Sequence, residues 1–172
     1  MPLVIGIDPG KTGAAVALDL NGFPVEWIAA DHPEEGYVVK GSKRKRYVDR
    51  IMAEWLADRI PTYLIVIEAQ QARPIEGRSS CLTTGLGWGL WRGVAACVGA
   101  PTEHPSPSKW TREMFGAAPR GAEKKARAIE LCRSRVPDLP LTWGRRRKPH
   151  TGLADAACLA LWGLRQLRVD RG

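Results

Sequence analysis

Two stretches of the chain leave it little choice of fold. Leu3–Asp8 (LVIGID) and Thr62–Glu68 (TYLIVIE) are near-continuous apolar runs, and each ends on a carboxylate. Runs of this length without polar alternation read as strands buried on both faces, inside a sheet covered by helices. Between them, Tyr47–Ile60 carries Ile51, Trp55 and Leu56 at helical spacing. A buried strand, a helix and a second buried strand make a right-handed crossover, which sets the strands of Asp8 and Glu68 parallel. Both carboxylates are then expected at one end of the sheet, where open α/β sheets bind ligands.

The rest of the chain completes the pattern. Pro9, Gly10 and Gly13 form a turn, and Ala14–Leu20 is a second apolar run, so the chain opens with a hairpin. Asn21-Gly22 is a hairpin signal, and Pro24–Ala29 reads as an edge strand with proline at its start. The polar segment Asp31–Arg46 and the segment Ala69–Ser80 are expected to be loops. Leu82–Val98 fits a helix with Leu90, Val94 and Val98 on one face; Trp88 and Trp91 flank it as core or interface residues. Pro101–Pro105 reads as a short strand followed by a Pro/Ser loop to Ser108. Ala122–Val136 reads as a helix with Ala126, Ile129 and Arg133 as a stripe, Pro137–Pro149 as a loop, and Thr151–Leu167 as a last, very apolar helix. The order β-β-β-α-β-α-β-α-α predicts an α/β fold with a mixed five-stranded sheet flanked by helices. A length of 172 residues suits a single domain spanning 1–172.

Composition narrows the class. No apolar run approaches the roughly 20 residues of a membrane span. The opening MPLVIGID reads as a strand and lacks a basic leader region. The four cysteines (Cys81, Cys97, Cys132, Cys158) form no CxxC pair, which fits reduced thiols. The expectation is a cytoplasmic protein with no membrane partner. Lys plus Arg number 26 against 18 Asp plus Glu, a net charge of +8. The excess is clustered at Lys40–Arg46, at Arg120, Lys124, Lys125 and Arg127, and at Arg145, Arg146, Arg147 and Lys148. Clustered cations on a folded domain point to a polyanion, most often nucleic acid.

A third carboxylate joins the two at the strand ends. Asp155 is the only charged residue between Thr151 and Gly163, and it is expected in the first helical turn, where the dipole favours an anion. Asp8 alone could be a turn residue, since Asp-Pro-Gly is turn chemistry, and Asp155 alone a capping anion. Glu68 fits neither description. Together the three make a hard, oxygen-rich set of the kind Mg2+ or Mn2+ prefers. Two such ions on shared carboxylates support in-line attack of water on a phosphodiester. A basic protein with that set reads as a nuclease.

With these residues in view, VIGIDPGKTGAAVAL resembles the opening strand and turn of RuvC-type Holliday junction resolvases. LIVIEAQ, GLWRGVAACV, GAEKKARAI and LADAACLAL are similar to later segments of that family in the same order, from about Leu3 to Gly163. The resemblance implies an RNase H-like fold, a homodimer, and cleavage of four-way DNA junctions with a divalent metal and no nucleotide cofactor. It places Asp8, Glu68 and Asp155 among the catalytic, metal-holding acids and Lys124 near the scissile phosphate. The family's fourth ligand falls at Gly152, which has no side chain; His150 is the nearest substitute as ligand and catalytic group, unless the site has three acids only. No aromatic follows Glu68 in the stretch from Ala69 to Arg73, which leaves junction opening to Arg73, Arg78 or a polar contact. Lys109, Arg112, Lys125, Arg145, Arg146 and Arg147 complete the expected nucleic-acid contacts. Gly85, Gly89 and Gly93 recur every four residues and would form the dimer contact, or else pack on the protein's own sheet. A second reading keeps the fold and takes structured RNA, such as a ribosomal precursor. A third sees in DPGKTG the phosphate loop of actin-like sugar kinases, which need two such domains.

Overall fold

The computed structural model describes residues 1–41, 45–71 and 77–169. Lys43, Arg44 and Arg73 lie outside them. The main sheet has five strands: β1 (Leu3–Asp8), β2 (Ala14–Asp19), β3 (Pro24–Ala29), β6 (Thr62–Ile67) and β7 (Thr102–Glu103), in the order β3-β2-β1-β6-β7. β1 and β2, and β2 and β3, pair antiparallel; β1 and β6, and β6 and β7, pair parallel. This is the mixed sheet expected from the two apolar runs. The β2–β3 turn is closed by Asp19, whose Oδ1 accepts the N–H groups of Asn21 at 2.9 Å and Phe23 at 2.8 Å.

The two-residue period of a strand sorts side chains between two cores. Leu3, Ile5, Ile7, Ile65 and Ile67 face Met52, Trp55 and Leu56 of α1 (Asp49–Ala57) and Trp91 of α2 (Arg78–Val98). Val4, Leu64 and Val66 face α5 (Thr151–Val169). Asp8 and Glu68 continue that second parity, so both strands aim their terminal carboxylates to the α5 side. Gly6 makes this packing possible. A Cβ there would come within 2.1 Å of Ala156 O and 2.3 Å of the Ala160 N, so only glycine lets α5 lie directly on β1. α4 (Gly121–Arg135) packs in turn on α5, with the Cys158 Sγ 3.6 Å from Ala128 O.

Several elements depart from the sequence reading. Asp31–Arg46 is not all loop: β4 (Val38–Lys40) and β5 (Lys45–Tyr47) pair antiparallel as a small second sheet, anchored by the buried Tyr37 and Val38. Tyr47 therefore ends a strand, and the following helix starts at Asp49. The Pro/Ser loop after β7 gives way to a further helix, α3 (Pro107–Phe115). Its signals are local: Ser106 caps it by accepting the Lys109 N–H, and Pro107 opens it. Lys109 and Arg112 are thus helical. The buried stripe of α4 is Ala128 and Cys132, not Ala126, Ile129 and Arg133. Asp155 stands beyond the first turn of α5, which begins at Thr151. No helix among the described residues is long and apolar enough to cross a membrane, and the four cysteines form no disulfide.

Candidate active site

Asp8 ends β1 and leads into the turn Pro9–Gly13, closed by the Gly13 N–H on Gly10 O at 3.0 Å. Two tyrosines brace this turn from the small sheet: Tyr37 donates its hydroxyl to Gly10 O at 3.5 Å and Tyr47 to Pro9 O at 3.4 Å. Glu68 follows β6 and is fixed alongside by its own N–H on Ile7 O at 3.1 Å. Asp155 comes down from α5, pressed onto β1 through Gly6. Three carboxylates distant in sequence thus meet at one sheet end.

A single ammonium lies among them. Lys124 Nζ is 3.1 Å from Glu68 Oε1 and 3.1 Å from Asp155 Oδ2. Lys124 heads the stripe that continues through Ala128 and Cys132, so the face that packs α4 on α5 also delivers its ammonium to the acids. Glu68 is held by two residues that sequence reasoning missed. The buried Trp110 of α3 donates its indole N–H to Glu68 Oε1 at 2.9 Å, and Gln70 donates to Oε2 at 3.0 Å. The Trp110 ring also lies under Lys124, 4.8 Å from Nζ. The signal for Trp110 was the Ser106-Pro107 helix start, which places it one turn along.

The electrostatics are those of an under-neutralised acid cluster. Burial pushes the Asp8 carboxyl up to about 8, and Glu68 and Asp155 push in the same direction. Burial raises Asp155 to about 6 against the pull of Lys124. For Lys124, burial pulls the ammonium down, but Glu68 and Asp155 outweigh it and hold it well above the ordinary lysine range. Asp155 Oδ1 is buried with no hydrogen-bond partner among the described residues. A buried carboxylate oxygen without a donor is costly unless a cation completes it. The donor set is all carboxylate oxygen, which suits a hard divalent cation. Among the described residues no three His, Cys, Asp or Glu side chains stand close enough together to hold a metal ion as they are placed; Lys124 stands between Glu68 and Asp155 instead.

His150 lies apart from this cluster. Its Nδ1 accepts the Leu153 N–H at 2.8 Å, capping α5, and its Nε2 lies 3.0 Å from Asp31 Oδ1. An Nδ1 that accepts leaves the proton on Nε2 in the neutral ring, which then donates to Asp31. Neither nitrogen keeps a lone pair for a metal. Burial lowers its pKa, with Asp31 and Arg146 as opposing neighbours. Gly152 is equally committed: a Cβ would stand 2.2 Å from Thr12 O and 2.8 Å from the Gly13 Cα. The position of the expected fourth ligand is occupied by backbone contact between α5 and the Asp8 turn.

The expected nucleic-acid residues divide. Arg112 lines a cleft of about 760 Å³ that opens beside Glu68 and Lys124 and includes Thr84, Ser108 and Arg120. Lys109 lies outside that lining, 5.3 Å over the Trp162 ring. Arg78, Lys125, Arg145 and Arg147 are exposed. Arg146 is tied down, 2.8 Å from Asp31 Oδ2 and stacked over Trp143 at 4.8 Å. On α2 the buried face is Gly87, Trp91 and Ala95. Gly85, Gly89 and Gly93 point outward with nothing within 4 Å of an added Cβ, so they do not pack on the protein's own sheet.

No protein-family model and no curated protein matches the chain. Solved structures do. Thermus thermophilus RuvC superposes with a TM-score of 0.63 at 19% identity, covering 98% of this chain and 96% of that one. The same organism's RuvC in complex with a Holliday junction substrate gives 0.61 at 17% identity, covering 99% and 97%. The chain has a RuvC-type, RNase H-like fold across nearly its whole length.

Proposed function

We propose that this protein is a metal-dependent endodeoxyribonuclease that resolves four-way DNA junctions by paired, symmetric nicks as a homodimer. The observation that carries the reading is the convergence of Asp8, Glu68 and Asp155 at the sheet end, with a buried Asp155 oxygen left without a donor. The fold neighbour solved with a Holliday junction supports the choice of substrate.

The three acids are the residues that would hold Mg2+ or Mn2+. The bound ion would supply an activated water and neutralise charge developing on the phosphodiester. The chain's own groups have separable tasks. Trp110 and Gln70 fix the orientation of Glu68. Arg112 and Arg120 line the adjoining cleft, where phosphates of the cut strand would be drawn in. Arg78, Lys125, Arg145 and Arg147 extend the positive surface. His150 and Arg146 hold the loop before α5 in place rather than touching substrate. The outward glycines of α2, beside the exposed Leu82 and Leu86, form the contact between subunits. A two-fold dimer presents one site to each of two equivalent strands.

The test is cleavage of labelled four-way DNA, duplex DNA and structured RNA in Mg2+ or Mn2+. Asp8→Asn should lower junction cleavage by about 100-fold or more while DNA binding is kept or tightened, because a negative charge near phosphate is removed. Near-normal turnover by Asp8→Asn would overturn the mechanism, and preferential cutting of RNA would reassign the substrate.

A further inference from the structure

We infer that Lys124 is a built-in second cation of the acid cluster, so that the site takes one divalent ion where the carboxylate count alone suggests two. This rests on the metal-dependent reading above and specifies it. Three independent features of the structure support it.

The first is position. The ammonium is equidistant, at 3.1 Å, from a carboxylate oxygen of Glu68 and one of Asp155, so it already supplies both with a positive partner. The second is that the lysine is held there. Its helix is anchored by Ala128 and Cys132 against α5, and the ammonium lies over the Trp110 ring, whose N–H is spent on the same Glu68 oxygen that Lys124 contacts. With Gln70 on Oε2, both oxygens of Glu68 already have donors, the Gly10 backbone bonds Asp8, and Asp155 Oδ1 is left buried without a partner among the described residues. The third is the missing ligand. Gly152 lies against the backbone of Thr12 and Gly13, and both ring nitrogens of His150 are engaged, so neither supplies a fourth ligand. Charge agrees: three carboxylates and one ammonium leave two negative charges, which one divalent ion neutralises.

The experiment counts Mn2+ on the full-length protein by electron paramagnetic resonance, alone and in a frozen complex with a four-way DNA junction. Wild type should bind one ion per chain at the site and show no exchange-coupled Mn2+ pair in the complex. Lys124→Met should bind a second ion and show the coupled pair. Lys124→Arg, which keeps the charge, should stay at one, and it covers the case in which Lys124→Met folds poorly. The variants should also differ in thermal stability, with Lys124→Met gaining more from Mn2+ than wild type. A coupled pair in wild type overturns the inference and leaves the nuclease reading standing. One ion in both wild type and a folded Lys124→Met overturns it as well. No site binding in any form, with Asp8→Asn still cutting, overturns the metal reading beneath it.

Discussion

Asp8 shows what the cluster does to a single carboxyl. It stands at about 8 against an ordinary 3.8, first because it is buried and then because Glu68 and Asp155 face it. The folded protein therefore binds this proton more tightly than the unfolded chain does. With a raised carboxyl the sign is fixed: the penalty is absent below the ordinary value, grows as pH rises from about 4 to about 8, and then levels off, with a slope of up to about 1.4 kcal/mol per pH unit. In chelator, wild type should lose stability relative to Asp8→Asn between pH 5 and 8, and Mg2+ should close the gap. Denaturant unfolding across that range checks it; parallel curves would mean that Asp8 is ionised without penalty. The arginines make a second contrast at this scale. Arg145 and Arg147 are exposed, whereas Arg146 is bonded to Asp31. Neutralising the first two should flatten the salt dependence of DNA binding by a slope of about 2 and leave stability alone. Neutralising Arg146 should lower the melting temperature first, because Asp31 loses its ion-pair partner and Trp143 its stacked guanidinium. Salt titrations and thermal melts on the same variants separate the two effects.

Among the elements, α5 matters most to the site, because it carries Asp155 and seats on both β1 and the Asp8 turn. Its closeness depends on glycine at two contacts, Gly6 under Ala156 and Ala160, and Gly152 over Thr12. Gly152→Ala places a methyl group 2.2 Å from a backbone oxygen, so helix and turn must separate. The expected cost is about 1–3 kcal/mol, with metal affinity falling alongside stability because Asp155 moves away from Asp8. Chemical denaturation and Mn2+ titration of the variant measure both, and an unchanged affinity would show that the turn and α5 are not coupled. α3 acts on the site differently. Through Trp110 alone it sets the orientation of Glu68 and the place of Lys124.

For the whole molecule, the proposed homodimer depends on how two copies would meet. The outer face of α2 carries Gly85, Gly89 and Gly93 beside Leu82, 73% exposed, and Leu86, 51% exposed. A side chain at Gly89 meets nothing within 4 Å, so Gly89→Leu should leave the single chain folded and gain up to about 1 kcal/mol of helix propensity. Any loss of mass then reports the contact between subunits alone. Light scattering should give a dimer for wild type and a monomer for Gly89→Leu. The monomer should nick junctions singly, since each cut needs its own encounter. A Gly89→Leu dimer with unchanged paired cutting would place the interface elsewhere.

The five-stranded sheet was legible in the sequence, and so was the placing of Asp8 and Glu68 at one of its ends. Near-continuous apolar runs, a turn at Asp-Pro-Gly and an apolar last helix are local patterns, and local patterns specify strands, helices and which residues stand at their ends. The Asp-Pro-Gly turn and the LIVIE run place Asp8 and Glu68 at one sheet end, as the parallel pairing of β1 and β6 has them. α3 was missed although its Ser-Pro start was written in the chain, because a Pro/Ser pair reads equally as loop or as helix cap until Trp110 has a core to enter. Tertiary structure alone decided the rest. Lys124 meets Glu68 across 56 positions and Trp110 meets it across 42. His150 was drawn from the acids by Asp31, 119 positions away, and Gly152 was claimed by the backbone of Thr12. A charge or a ring nitrogen bonds to whichever partner packing brings within about 3 Å, and that partner is set by how α4 and α5 stack on the sheet, not by any spacing along the chain.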